Sequence, residues 1–135
     1  MIKILLILTL LFTHSLRAAE INHATGFGLQ YAGVLGYQIS TKNNDHRFRG
    51  ALGLIGVSVG YDYFLSPQWS LGATYTETVR TVYSVNINYT LPQNECITFG
   101  VDFGHIPSDK ASGSGFTYIK GNSKNIMFFS VGYEF

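Results

Sequence analysis

His105 and Ser108 lie three residues apart in the last third of the chain, and with Glu77 they are the residues whose types could perform hydrolysis. A serine nucleophile needs a base within reach, commonly a histidine that a carboxylate orients. On an extended strand, however, side chains three residues apart point to opposite faces. The spacing therefore favours a surface histidine over a catalytic one, and we do not expect catalysis at His105, Ser108 and Glu77.

The sequence carries no other pattern typical of a chemical site. No metal-ligand spacing, phosphate-binding loop or nucleotide motif occurs, so we expect neither a metal nor a cofactor. Cys96 is the single cysteine, which excludes an internal disulfide. We interpret Cys96 as a packing residue, and a reactive or intermolecular thiol is the alternative.

The first nineteen residues have the layout of a secretory signal peptide. Lys3 precedes the apolar run ILLILTLLF, which is too short to span a bilayer, and small residues follow. We predict a signal peptide over 1–19, cut after Ala19 or one residue earlier, and one domain over 20–135. Removal of Lys3 and Arg17 leaves seven basic against eight acidic residues, and this balance argues against nucleic-acid binding.

Two-residue alternation runs through most of the remaining chain and predicts strands. Large apolar residues occupy one face of each segment, and small or polar residues occupy the other. The alternation marks six segments, at 26–40, 50–65, 69–75, 83–89, 97–103 and 127–135. Turn-forming residues separate them, for example at 66–68 and 92–94, so the pattern predicts an all-β, antiparallel up-and-down meander.

The glycines indicate which face of the sheet points inward. Most strand glycines share the face that carries Gln, Ser, Thr, Asn and Asp. Glycine weakens a strand, so its concentration on one face indicates that space is scarce there. The apolar face must then point outward, which is the arrangement of a transmembrane β-barrel. The alternative is a soluble β-sandwich or lipocalin-like barrel with the two faces reversed.

These features together resemble a small bacterial outer-membrane β-barrel protein of the OmpA/OmpX type, over essentially the whole mature chain. The resemblance implies a Gram-negative outer membrane as the location, and membrane lipid and the barrel-assembly machinery as partners. It also implies that the alternating apolar residues of the last strand are the assembly signal. These residues are Phe129, Val131, Tyr133 and Phe135.

The number of strands departs from that resemblance. Such barrels normally have eight or more strands, whereas the alternation marks six. A hairpin lost from the fold, weak strands hidden within 76–84 and 107–125, an incompletely closed sheet and an oligomer that completes the barrel all remain open. The fold prediction is therefore a barrel of six to eight strands, apolar outside and small or polar inside.

The resemblance also implies an orientation for the charged residues. Both termini and the short turns would face the periplasm, while the loops near 41–46, 77–82 and 107–125 would face outside. All basic residues of the mature chain then fall on the external side: Lys42, Arg47, Arg49, Arg80, Lys110, Lys120 and Lys124. We predict that they contact lipopolysaccharide phosphates, with ordinary solvated loop charges as the alternative.

Polar residues on the inward face predict a network inside the barrel. Its expected members are Gln30, Asp62, Asn86, Asp102 and Glu134. A barrel this narrow is filled by side chains, so we expect a polar plug rather than a pore. The predicted function is a structural or surface-interaction role in the cell envelope. The alternatives are a narrow pore or a lipid A-modifying enzyme, although the His-x-Ser arrangement that we would expect of a deacylase is absent around His105.

Overall fold

The chain folds into a closed barrel of eight antiparallel strands in the computed structural model, which describes residues 20–108 and 123–135. Each strand pairs with its neighbours in sequence, and the last pairs with the first. The strands are β1 Glu20–Gly28, β2 Gly33–Asn43, β3 His46–Gly53, β4 Gly56–Phe64, β5 Trp69–Glu77, β6 Thr81–Leu91, β7 Asn94–Ile106 and β8 Lys124–Glu134. The predicted all-β up-and-down barrel is confirmed, whereas the predicted signal peptide lies outside the described residues. Over those residues no helix is long and apolar enough to cross a membrane.

The first of the six predicted segments, 26–40, contains a hairpin. A 3-10 turn, Leu29–Tyr31, interrupts it, and we call these three residues the plug segment. Ala32 and Gly33 follow with φ of 57° and 116°, which turns the chain back into β2. The prediction of a single strand was wrong here because Leu29 and Tyr31 continue the apolar alternation, yet both are buried inside the barrel.

The second predicted segment, 50–65, also contains a hairpin. A two-residue turn at Leu54 and Ile55 joins β3 to β4. Apolar residues run through this turn, so the sequence does not show the break. The two strands that raise the count from six to eight come from these two hairpins, and not from 76–84, where a hidden strand was suggested. Most of the other suggested range, 107–125, lies outside the described residues.

The two faces of the sheet differ as the alternation predicted. Outward residues are large and apolar, for example Val59 and Phe129, which are 58% and 61% exposed. Inward residues are mostly small or polar, with Val82 and Phe128 among the exceptions. Three of the polar ones are buried almost completely: Asp62, Asn86 and Asp102. A soluble barrel buries its apolar residues instead. The apolar exterior and polar interior are therefore properties of this fold.

Strand β3 differs from the other strands, in which even-numbered residues point inward. Directly paired residues share a face of the sheet. Arg49 pairs with the even-numbered Ser40 of β2 and Gly60 of β4, which both belong to the inward set. The odd-numbered residues of β3 therefore point inward, and Ala51, which the alternation placed on the outward face, is buried.

The strand order also fixes which connections share an end of the barrel. The chain termini and the turns after β2, β4 and β6 lie at one end, which we call the termini end, and the other connections lie at the loop end. The turn at 41–46 thus lies with the turns at 66–68 and 92–94. Its predicted place at the opposite end was wrong, because each undetected hairpin reverses the direction of the chain once more.

Candidate functional site

A charged cluster of Arg47, Arg49 and Asp62 lies inside the barrel. Arg49 donates hydrogen bonds from Nε to Asp62 Oδ2 at 2.9 Å and from Nη2 to Oδ1 at 3.1 Å. Arg47 donates from Nε to Oδ2 at 3.0 Å, and its Nη2 lies 2.9 Å from the same oxygen. All three residues are buried. Two guanidinium groups therefore share one carboxylate, and loss of that carboxylate would leave buried charge without compensation.

The predicted lipopolysaccharide contact is wrong for Arg47 and Arg49, because the inverted face of β3 directs both side chains into the barrel. Lys42 lies at the termini end, opposite the predicted loop end, with Nζ 4.1 Å from the centre of the Phe64 ring. Arg80 and Lys124 do lie at the loop end, in the β5–β6 turn and at the start of β8. The remaining members of the predicted set lie outside the described residues: Lys110 and Lys120.

The plug segment joins this cluster to a second group of polar residues. Gln30 donates from Nε2 to Asn88 Oδ1 at 2.7 Å, and the same nitrogen lies 3.5 Å from Asp102 Oδ2. Ser130 Oγ also donates to Asp102. Asn88 Nδ2 lies 3.4 Å from Asp62 Oδ1 and so connects the two groups. The polar interior is thus one network that reaches from β3 to β8.

The backbone of the plug segment is held as well. Thr76 Oγ1 donates to the carbonyl oxygen of Leu29 at 2.9 Å, and Ser58 Oγ donates to that of Gln30 at 2.9 Å. The bond from Ser58 gives the buried Gln30 carbonyl a partner, while the Leu29 oxygen also accepts from the backbone N–H of Ala32 at 3.2 Å. The segment is therefore an integral part of the interior, fastened to β4 and β5.

The Tyr31 ring packs against the inward face of β1 and β8. Gly26 and Gly132 pair with each other across these strands. A Cβ atom added to Gly26 would lie 2.7 Å from the Tyr31 ring, and one added to Gly132 would overlap the Tyr31 hydroxyl. The two glycines are therefore required by the close approach of this ring.

The predicted lumen residues fall into two groups. Gln30, Asp62, Asn86 and Asp102 are all buried, and Asn86 joins the cluster through Thr74, which accepts from Asn86 Nδ2 at 3.2 Å and from Arg49 Nη2 at 2.7 Å. Glu134 lies at the edge, near the termini end, with Oε2 3.8 Å from Arg47 Nη1.

The interior is packed and balanced in formal charge. Arg47 and Arg49 oppose Asp62 and Asp102, and the side chains of Asn86, Asn88 and Thr76 are also buried almost completely. Buried atoms without a hydrogen-bond partner among the described residues include Gln38 Oε1, Arg49 Nη1, Asn86 Oδ1 and Asp102 Oδ1. The arrangement favours a polar plug over an open path.

The three residues considered for hydrolysis are not assembled into a triad. His105 Nδ1 lies 2.8 Å from Asn125 Oδ1, and since an amide oxygen can only accept, Nδ1 donates. Glu77 lies on β5 and His105 on β7, so β6 separates their backbones by about 10 Å. Ser108 is exposed beyond the end of β7. Within 20–108 and 123–135, no group of three His, Cys, Asp or Glu residues is placed to hold a metal ion.

A comparison with protein-family models matches residues 20–99 to the model described as "Protein of unknown function (DUF3575)". The chain belongs to the DUF3575 family. The matched span covers β1 to β6 and the first part of β7, so it includes the plug segment and the charged cluster, whereas Asp102, Ser130 and β8 lie beyond it. No curated protein and no solved structure matches the chain.

The C-terminal strand of this DUF3575 barrel presents the apolar row that the sequence singled out. Phe129, Val131 and Tyr133 are exposed on the outer face of β8. Phe135 follows directly and packs against the outer face of β1 and β2, where its ring lies 6.5 Å from that of His23. The four residues thus form one continuous outward stripe.

Sequence reasoning missed several members of the DUF3575 interior. Ser130 belongs to the inward set and could have been included by parity alone. Arg47 and Arg49 flank Phe48 in an R-F-R pattern, which is itself an alternation with two polar positions on one face. This alternation could have been recognised from the sequence. Arg47 and Arg49 were instead placed on the external side, because the β3–β4 hairpin was not recognised.

Proposed function

We propose that this DUF3575 protein is an integral outer-membrane β-barrel with a structural or surface-interaction role in the Gram-negative cell envelope. The observation that carries the proposal is the closed barrel with large apolar residues outside and a polar network inside. Closure pairs the backbone groups of every strand, as hydrocarbon surroundings require. In water, the same barrel would expose its apolar face and bury its charges.

The exposed apolar residues of the β3–β4 turn support the proposal that lipid surrounds this part of the loop end. Its tip residue Leu54 is 77% exposed, and Leu52, Ile55 and Val79 nearby are also exposed. Together with Glu77 and Thr78 they line an apolar depression of about 540 Å³. Contiguous apolar surface of this kind on soluble proteins marks an interaction site. Here we assign it to lipid that reaches the turn on this side of the barrel.

The proposal includes contact with lipopolysaccharide at the loop end. Arg80 and Lys124 lie there and carry the basic charge that phosphate groups would attract. Lys110 and Lys120 belong to the same proposal on sequence grounds. Because Lys42, Arg47 and Arg49 lie elsewhere, the proposed contact rests on a smaller set of residues than the sequence indicated.

The proposal also assigns Phe135 and the alternating residues of β8 to recognition by the barrel-assembly machinery. This assignment comes from the resemblance to OmpA/OmpX-type barrels. Its support in the fold is that these residues line the outer face of the strand that closes the barrel, where another protein could reach them during insertion.

Membrane fractionation of the expressed protein tests the proposal. We expect the wild type in the outer membrane, with a different electrophoretic mobility before and after boiling, and a mature mass that corresponds to cleavage after Ala19 or one residue earlier. A chain without Phe135 should be mislocalised or degraded, whereas Phe135→Tyr, which keeps an aromatic terminus, should behave as wild type. A soluble wild type without a mobility shift would overturn the proposal.

A further inference from the structure

A groove of about 980 Å³ crosses the outer face of the barrel from β4 to β8, with Phe48 of β3 at its lower end. Aromatic side chains form most of its walls, namely Phe48, Tyr61, Tyr75, Tyr83 and Phe103. Ala73 lies between them and is the smallest outward side chain of β5. Because Ala73 is small and its neighbours are large, the groove is deeper at this position than it would be with a large side chain there.

The groove rises from the middle of the barrel to the loop end. Its floor follows one paired row, which passes from Gly60 of β4 to Ile126 of β8. Gly60 is the central residue of β4, whereas Ile126 is the third residue of β8, counted from the loop end. This climb follows from the tilt of strands in a closed barrel. The groove therefore spans about half of the barrel height.

The chemical character of the groove changes along its length. Val59, Ala73 and Val85 make its middle apolar. At the loop end, His105 and Asn125 form a hydrogen-bonded pair, and Tyr83 is paired with His105 on the neighbouring strand. Asn125 Nδ2 is a further donor at this end. A ligand that fits must be apolar along its length and polar at one end.

We propose that this groove holds one acyl chain of a bilayer lipid, with the polar headgroup at His105 and Asn125. The inference rests on the proposed function, because the ligand reaches the groove only if the barrel lies in a membrane. A second copy of the chain is the competing occupant, and the test below distinguishes it by the oligomeric state. Apolar walls with a few placed polar groups are typical of ligand sites.

Ala73→Trp tests the proposal, because an indole at this position would fill the groove. Leu71→Trp is the matched control, since Leu71 points outward on the same strand but does not line the groove. Each protein is reconstituted into vesicles of phosphatidylethanolamine and phosphatidylglycerol, extracted in mild detergent and weighed by native mass spectrometry. We expect one retained phospholipid on the wild type and on Leu71→Trp, and loss of that phospholipid from Ala73→Trp.

The other outcomes overturn the inference. They are a wild type without retained lipid, equal retention by Ala73→Trp, loss of lipid from Leu71→Trp as well, and a wild-type dimer that Ala73→Trp dissolves. Electrophoresis of boiled and unboiled samples separates this failure from a failure of the proposed function. If all three proteins enter the membrane and show the electrophoretic mobility shift but the expected lipid pattern is absent, only the groove proposal is overturned. If the wild type does not enter membranes, both the groove proposal and the proposed function are overturned.

Discussion

Phe135, the last residue of the chain, donates its backbone N–H to the carbonyl oxygen of His23 at 2.9 Å, and its ring stacks on the imidazole at a centroid distance of 6.5 Å. The Tyr37 hydroxyl lies 2.6 Å from His23 Nδ1 and extends the cluster onto β2. The seam between β1 and β8 has four residue pairs, the fewest of any two neighbouring strands in the described barrel. Phe135 therefore reinforces the place where the barrel is least well paired.

Removal of Phe135 should weaken the folded barrel even where no assembly machinery is present. Loss of one hydrogen bond and of the ring contacts should lower the free energy of unfolding by about 1–3 kcal/mol. Urea unfolding of protein that has been refolded in detergent micelles measures this change. Phe135→Tyr is the control and should retain the wild-type value. Unchanged stability without Phe135 would confine its role to recognition in the cell.

Asp62→Asn should strongly destabilise the barrel. The substitution removes the charge that Arg47 and Arg49 share, and breaking a buried ion pair in this way costs about 3–5 kcal/mol. The control is Asp45→Asn, the same change in the exposed β2–β3 turn, which should alter the free energy of unfolding by less than about 0.5 kcal/mol. Urea titrations of both variants, followed by loss of β-sheet circular dichroism, make the comparison. Equal effects of the two substitutions would show that the cluster contributes little.

Gly132→Ala should destabilise the barrel by about 1–3 kcal/mol, because the added methyl group overlaps Tyr31 in a packed interior. Gly50→Ala is the matched control, since a Cβ there meets nothing within 4 Å. The loss should shrink in a Gly132→Ala, Tyr31→Phe double variant, in which the overlapping hydroxyl is absent. Strictly additive effects of the two substitutions would argue against contact between these residues.

The packed interior predicts that the wild type gives no discrete conductance steps in planar bilayers. Asp102→Asn should be equally silent, because Asp102 belongs to a side-chain network and does not line an open path. Single-channel recording at several voltages measures this, with an established porin as the positive control. Steps in the wild type whose size changes in Asp102→Asn would favour the pore instead.

The second half of the chain was largely predictable from its sequence. Strands β5 to β7 alternate over most of their length, and β8 alternates from Phe129 onward. The turns between β4 and β5 and between β6 and β7 contain Pro67 and Pro92, which no central strand accommodates. Alternation over a closed sheet also identified the outward face correctly. Local rules were sufficient here because local and global preferences agree.

The first half was not predictable by the same rules. Leu54 and Ile55 form a turn although neither is a turn residue, and Leu29 and Tyr31 are apolar residues that fill a polar interior. Their placement depends on what lies across the barrel, such as Gly26 and Gly132, and a single sequence does not display that. The inverted face of β3 follows from pairing with two neighbours, which is a property of the assembled sheet.

The contact between Tyr31 and the paired glycines has a consequence for the order of folding. Gly26 and Gly132 belong to the first and last strands, so the surface that receives the Tyr31 ring exists only once the two ends of the chain have met. Pairing of distant chain segments is slow because it carries a large loop-closure entropy. We expect the plug segment to settle in the same kinetic step that closes the ring of strands, so that an intermediate with β1 and β8 apart would have a hydrated, unpacked centre.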